Sequence, residues 1–152
     1  DLQCSLLCED VRQETSCNFI LVGVLGYVRV PKLPVTALKI CVFNRWTAGV
    51  GSFTESVRLV APDQVTVMRK SEVKFGLREA THNATNVTVF AQVEFNKPGA
   101  YYLEVNVDDV LKMRFPIPVI VVSPPAGQAP TAAPPGDAGP QPGPSTEPPA
   151  GE

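Results

Sequence analysis

Apolar and polar positions alternate through Phe95–Val122, and this period of two predicts a β-hairpin near the C-terminal end of the folded part of the chain. Every second side chain from Tyr101 to Val107 is apolar, after a turn formed by proline and glycine. A second strand with the same period runs from Leu111 to Phe115. The hairpin is the strongest indication of fold class in the sequence.

The loop of this hairpin is predicted from the side chains that face each other across it. A two-residue loop would place Lys112 opposite Val105 on the buried face, and burying an unpaired charge is costly. A three-residue loop, Asp108–Val110, instead brings apolar side chains together on the inner face. It also places Glu104 opposite Arg114 on the outer face. The sequence therefore predicts the three-residue loop.

The same period recurs through the rest of residues 1–123 and predicts six further strand segments, separated by turns rich in proline, glycine and asparagine. Phe19–Val30 is apolar on both faces and is predicted to be a central strand, whereas Arg78–Asn86 is predicted to be a polar loop. No segment has the 3.6-residue period of a helix. The chain is therefore predicted to be all-β, an antiparallel immunoglobulin-like β-sandwich of about seven to nine strands. The six segments are Leu2–Arg12, Phe19–Val30, Ala37–Trp46, Phe53–Val60, Val65–Leu77 and Val87–Phe95.

Residues 124–152 differ in composition from everything before them. They hold ten of the 16 prolines and five of the 11 glycines, and they have no aromatic, Leu, Ile, Val, Met, Lys or Arg side chain. A segment without apolar side chains cannot form a core, so it is predicted to be a disordered or extended proline-rich spacer tail. The predicted boundaries are 1–123 for the sandwich domain and 124–152 for the tail.

The charge distribution gives no indication of a nucleic-acid or anionic-membrane partner. Residues 1–123 carry all 13 basic and 12 of the 15 acidic side chains, so this part of the chain is nearly neutral. No apolar run approaches the roughly 18 residues that span a bilayer. We therefore expect a protein partner or self-association, without nucleic acid and without a membrane span.

Four cysteines and one histidine restrict the chemistry that the chain offers. Cys4 and Cys8 would share one face of a strand about 13 Å apart, too far for a disulfide between them. Buried free thiols in a cytoplasmic protein are the first expectation, and a disulfide such as Cys17–Cys41 or Cys8–Cys41 in an exported protein is the alternative. The cysteine spacing fits no zinc site, and His82 lies in a polar loop. No catalytic, cofactor or metal site is predicted.

Candidate partner contacts come from two places in the sequence. Trp46, beside Arg45, either packs between the sheets or presents an aromatic surface to a sugar or a protein. Phe115 and Ile117 alternate with prolines, which predicts that the last strand is an edge strand or a bulged one. Because an edge strand can pair with another chain, these four residues are the candidate contacts.

Several motifs of the chain occur together in a known family. They are CSLLCEDVR, FILVGVLGYVRVPKLP, ICVFNRW, VRLVAPD, and FNKPGAYYLEVNVDD with FPIPVIVV at its end. With them, residues 3–122 resemble a family of small uncharacterised bacterial proteins classed as a domain of unknown function. That family has a C-D-x-x-R-like segment, an L-V-G-V strand and a P-G-x-Y-x-L-x-V-x-x-D-G hairpin, whose final glycine is replaced here by Asp109. The resemblance implies no activity, and it favours a bacterial, cytoplasmic source.

These observations favour a protein that is not an enzyme. The leading hypothesis is a β-sandwich interaction or assembly module with a proline-rich spacer tail. The alternative is a secreted or cell-surface carbohydrate-binding or adhesive domain that uses Trp46. In that setting the N-x-[ST] sequons at Asn83 and Asn86 would be glycosylation acceptors.

Overall fold

A computed structural model describes residues 1–123, which form nine strands in two sheets packed face to face. The strands are β1 (Leu2–Gln13), β2 (Phe19–Val24), β3 (Val28–Val30), β4 (Val35–Thr47), β5 (Gly51–Val60), β6 (Val67–Leu77), β7 (Asn83–Phe95), β8 (Gly99–Val107) and β9 (Val110–Val121). One sheet has the order β2-β1-β4-β7 and the other β3-β9-β8-β5-β6. Within residues 1–123 only β3 and β9 pair in parallel. The predicted all-β sandwich is confirmed, and the tail predicted over residues 124–152 lies outside the described residues.

The strand order is that of an immunoglobulin-like sandwich. β1, β4 and β7 correspond to strands A, B and E, and β5, β8 and β9 correspond to C, F and G. Tyr101, near the start of β8, donates its hydroxyl to the carbonyl oxygen of Lys97 at 3.0 Å, which is the tyrosine corner of such folds. The disulfide between the sheets of antibody domains has no counterpart here, because all four cysteines are free within residues 1–123.

The core lies between the two sheets and is built from alternate side chains of the facing strands. Val42, Phe95 and Leu103 are completely buried there. The rings of Phe95 and Tyr101 meet edge to face with their centroids 5.0 Å apart. Burial of each large apolar side chain stabilises the fold by about 1.5–3 kcal/mol, so this layer supplies the main driving force for folding.

Up to Val105, which pairs with Met113, the C-terminal hairpin of β8 and β9 has the predicted register. Leu103 pairs with Phe115, and Glu104 pairs with Arg114. Nε of Arg114 lies 3.3 Å from one carboxylate oxygen of Glu104, and Arg58 of β5 reaches the other at 2.9 Å. The outer-face ion pair is therefore shared across three strands.

The predicted three-residue loop of this hairpin is wrong. The loop has two residues, Asp108 and Asp109, with φ angles of 46° and 64°. Val107 pairs with Val110, and a bulge opposite Val105–Asn106 accommodates Lys112 as an extra residue. The bulge lets Lys112 remain exposed, so the burial cost that argued against the short loop does not arise.

The predicted central strand Phe19–Val30 is divided between the two sheets. Gly23 has a φ of 62°, and the chain then crosses from β2, at the edge of one sheet, to β3, at the edge of the other. Phe19–Val30 is therefore apolar on both faces for a reason other than a position in the middle of a sheet. Phe19 packs edge to face on Phe43 of β4, with ring centroids 5.5 Å apart, so the β1–β2 hairpin covers part of the outer face of its own sheet.

β7 begins within the predicted polar loop, and its alternation differs from the prediction. Thr88 and Phe90 are buried, whereas Val89 between them is 55% exposed. The alternation shifts at Gln92, where φ is 50°, so that Val93 and the residues after it resume the predicted orientation. The apolar residues of the first half of β7 therefore face outward.

Candidate functional site

The four predicted contact residues are divided between the two sheets. Trp46 and Ile117 are each only 2% exposed, so neither side chain is available to a partner at the surface. Arg45 is half-buried and lines a shallow cleft beneath the β1–β2 turn, while Phe115 packs partly against the core. Direct contact through Trp46 and Ile117 is therefore set aside because of their burial. Contact through Arg45 and Phe115 stays a prediction.

Trp46 is part of a buried polar cluster that sequence reasoning missed. Its indole Nε1 donates a hydrogen bond to Oε2 of Glu55, which lies on β5 in the opposite sheet. The same oxygen accepts a second hydrogen bond from Nδ2 of Asn86 on β7, at 3.0 Å. Asn44 lies directly opposite Asn86 on the neighbouring strand and is also completely buried.

A sequence signal for this cluster was present. Glu55 falls in the inward series of β5, between Phe53 and Val57, where an apolar residue is expected. A carboxylate at such a position needs buried donors, and uncharged polar residues on the facing strands can provide them. Asn86, read as part of a loop and as a sequon, is one of these donors.

The cluster connects the two sheets and is closed to substrates. Glu55 is 1% exposed, so no reactant can reach its carboxylate. Its two donors come from β4 and β7, which fixes how the sheets are placed relative to each other at this point. Asn86 is 8% exposed and already hydrogen-bonded, so it is unsuited to carry a glycan, whereas Asn83 is exposed.

The cysteines and the histidine do not form a reactive centre in the described part of the chain. Cys8 and Cys41 face each other across β1 and β4 and are both buried. Burial, together with the neighbouring Cys41, raises the pKa of the Cys8 thiol and disfavours the nucleophilic thiolate. His82 is exposed beside Glu79. Residues 1–123 contain no group of three or more His, Cys, Asp or Glu side chains placed to hold a metal ion.

The free edge of β7 is the most open feature of the sandwich for pairing with another strand. β7 is the last strand of its sheet, and no other strand of residues 1–123 pairs with its outer side. From Asn83 to Val93 it has no charged side chain. Near the C-terminal end of β7, strand β6 approaches this edge, and Arg69 of β6 donates to the carbonyl oxygen of Gln92 at 2.9 Å. Edge strands are normally blunted by charge or proline, and β7 has neither from Asn83 to Val93.

Comparison with family models gives a match that spans most of the sandwich. The model of a family of unknown function, DUF6941, matches residues 3–120. The chain belongs to this family. The resemblance found in the sequence motifs is thus confirmed as membership of an uncharacterised family, while the bacterial source stays a prediction. A comparison with curated proteins finds no match. The DUF6941 match ends one residue before the end of β9, so residues 124–152 lie beyond it.

The other edges of this DUF6941 sandwich are better protected. β6 carries Arg69, Lys70, Glu72 and Lys74 along its length. β9 is a free edge over residues 110–118, as predicted for the last strand, and two prolines interrupt it there. β2 is only six residues long. No membrane-crossing helix is present, since the part of the chain described here contains no long apolar helix.

Proposed function

We propose that this DUF6941 chain is a non-enzymatic assembly module that self-associates through β7. In the proposed dimer, β7 pairs antiparallel with β7 of a second copy about a two-fold axis, which joins the two four-stranded sheets into one. The observation that carries the proposal is the free edge of β7, uncharged from Asn83 to Val93. Residues 124–152 would extend from the module as a spacer.

The side chains of β7 support a second copy as the partner. In a two-fold pair each residue meets residues of the same strand, so a charged edge would place like charges together. β7 avoids this repulsion because its first eleven residues are uncharged. Val89, exposed on the outer face in the first half of the strand, would lie beside apolar side chains of the other copy. Such β-branched pairs stabilise neighbouring strands.

The polar groups of the sandwich support a function without catalysis. Glu55 is enclosed in the core, and the raised pKa of Cys8 disfavours its reactive form. The free cysteines also fit the cytoplasmic location that we infer. Carbohydrate binding relied on Trp46, and the burial of this side chain leaves that alternative without a supporting observation.

The test is the molar mass in solution, measured by size-exclusion chromatography with light scattering over a dilution series. Wild-type protein is expected at twice the chain mass of 16.3 kDa, and Val89→Lys at the chain mass, because a lysine on each copy would meet its counterpart at the new junction. Val67→Lys is the matched control, since Val67 is a similarly exposed valine on the edge strand β6. It should remain dimeric. A monomeric wild type, or dimerisation lost equally in both variants, would contradict the proposal.

A further inference from the structure

A row of polar side chains crosses the inner face of the four-stranded sheet. Ser5 of β1 lies directly opposite Asn44 of β4, and Asn44 lies directly opposite Asn86 of β7. Asparagine and serine are mostly found at protein surfaces, whereas this row lies between two packed sheets. The next row along the same face contains Val42 paired with Thr88, so the polar region continues by one residue on β7.

Most of these polar groups have no hydrogen-bond partner within residues 1–123. Both amide atoms of Asn44, Nδ2 and Oδ1, are buried and unpaired, and so is Oγ of Ser5. The same holds for Oγ1 of Thr88 and, from the opposite sheet, for Oε1 of Glu55. Asn44, Glu55 and Thr88 are at most 3% exposed, so they are out of reach of bulk solvent. Buried polar groups of native proteins almost always have a partner, and these atoms therefore indicate a bound ligand.

The unpaired groups surround one point between the sheets. The carboxylate of Glu55 accepts hydrogen bonds from Trp46 and Asn86. Asn44 lies between these two donors, since it is two residues from Trp46 along β4 and directly opposite Asn86. Side chains that lie directly opposite each other have Cβ atoms about 4.5–5.5 Å apart. The carboxylate of Glu55 is therefore held beside the amide of Asn44.

The hydrogen-bonding character of these atoms identifies the ligand. The amide nitrogen of Asn44 needs an acceptor, whereas the free carboxylate oxygen of Glu55 needs a donor. A metal ion or an ammonium ion would satisfy the oxygens and leave the amide N–H unpaired. An anion would be repelled by the carboxylate. Water both donates and accepts, and buried waters typically make about three hydrogen bonds to groups that would otherwise lack a partner.

We propose that at least one water molecule is bound in the core between Glu55 and Asn44. It donates to Oε1 of Glu55 and accepts from Nδ2 of Asn44, and the hydroxyls of Ser5 and Thr88 are its further partners. The water joins the two sheets, because Glu55 belongs to β5 and the other three residues belong to β1, β4 and β7. This site is separate from self-association through β7, because it lies on the inner face and not at the free edge.

The test is the NOE between water and the side-chain amide protons of Asn44 in ¹⁵N-labelled full-length protein. The wild type should show this NOE with the sign of a contact that lasts longer than the tumbling of the protein, and the rotating-frame experiment separates it from proton exchange. The exposed side-chain amide of Asn96 is the control in the same spectrum and should show no such contact. Absence of a long-lived contact at Asn44 would overturn the proposal.

A double variant tests whether the NOE is relayed through a hydroxyl proton that exchanges with water. Ser5→Ala combined with Thr88→Val removes both hydroxyls and leaves the amide and the carboxylate that hold the water. The NOE at Asn44 should therefore remain. Its loss in the folded double variant would overturn the proposal.

The ¹⁷O relaxation dispersion of the solvent detects long-lived buried water without reference to protons. Its amplitude should fall in Asn44→Leu, which has a similar volume and no amide, by at least the contribution of one water. The matched control Asn96→Leu should keep the wild-type amplitude. An unchanged amplitude in folded Asn44→Leu would also overturn the proposal, and the NOE of the wild type decides it where a variant fails to fold.

Discussion

At the scale of single residues, the hydrogen bonds of Glu55 compensate for the burial of one of its two carboxylate oxygens, Oε2, whereas Oε1 is buried without a partner in residues 1–123. A buried carboxylate is stable only when neighbouring donors replace its lost hydration. Trp46 and Asn86 supply such donors from the opposite sheet. The indole of Trp46 also stacks on Phe75, with ring centroids 5.5 Å apart. Trp46 thus serves the fold rather than a ligand.

Removal of the indole N–H should destabilise the protein. Trp46→Phe retains an aromatic ring that can stack on Phe75 but leaves the Glu55 carboxylate with one donor fewer. We expect the free energy of unfolding to fall by about 1–3 kcal/mol, the usual cost of an unpaired buried polar group. Urea denaturation followed by circular dichroism measures it, and Tyr27→Phe at the exposed Tyr27 is the control. An unchanged value for Trp46→Phe would show that the hydrogen bond has no net effect.

The two aspartates of the β8–β9 turn should respond differently to replacement by glycine. Both have positive φ, which is unfavourable for residues other than glycine. Asp109→Gly should therefore stabilise the protein by about 1 kcal/mol. Asp108→Gly should give a smaller gain or none, since the Asp108 carboxylate also accepts the N–H of Thr54 at 2.9 Å. Equal effects in urea denaturation would contradict this distinction.

At the scale of elements, the turn between β5 and β6 makes stability depend on pH. The carboxylate of Asp63 accepts hydrogen bonds from the hydroxyl and N–H of Thr66 and from the N–H of Val65, and these bonds lower the pKa of Asp63. A carboxyl whose pKa is lower in the folded state stabilises the fold when ionised. That stabilisation is present above its unfolded pKa of about 3.9 and is lost as the pH falls through the folded pKa.

Replacing Asp63 should flatten this dependence. Wild-type protein should lose thermal stability between roughly pH 5 and roughly pH 2, and Asp63→Asn should lose less over the same interval. The two midpoints should differ most near neutral pH and approach each other in acid. Glu94→Gln at the exposed Glu94 is the control and should follow the wild type. Parallel curves for wild type and Asp63→Asn would contradict the assignment.

The elements also show which parts of the fold could be read from sequence. The register of β8 and β9 was predictable because its inner and outer faces both have matching side chains. The faces of β7 were not predictable, because Asn86 and Thr88 are polar and yet buried, and because the alternation reverses at Gln92. The bulge at Lys112 was not predicted either, because the alternation of apolar and polar residues does not show where one strand has an extra residue.

At the scale of the whole molecule, the immunoglobulin-like order leaves its sheets with unequal edges. The five-stranded sheet ends at the charged strand β6 and the short strand β3, whereas one end of the four-stranded sheet is β7, which is uncharged from Asn83 to Val93. Free edges of this kind pair readily with other strands. Recognition of β7 as the candidate interface required the three-dimensional order of the strands. In the sequence, the prolines that alternate with Phe115 and Ile117 indicated the last strand as the edge strand instead.

The most direct measurement of self-association through β7 is an isotope-filtered NOE experiment on an equal mixture of ¹³C-labelled and unlabelled full-length chains. Pairing through β7 predicts NOEs between the two copies from the methyl groups of Val87 and Val89 and from other β7 residues, with none from β6. NOEs between copies that arise only from other strands, or their absence at concentrations where light scattering shows a dimer, would contradict it.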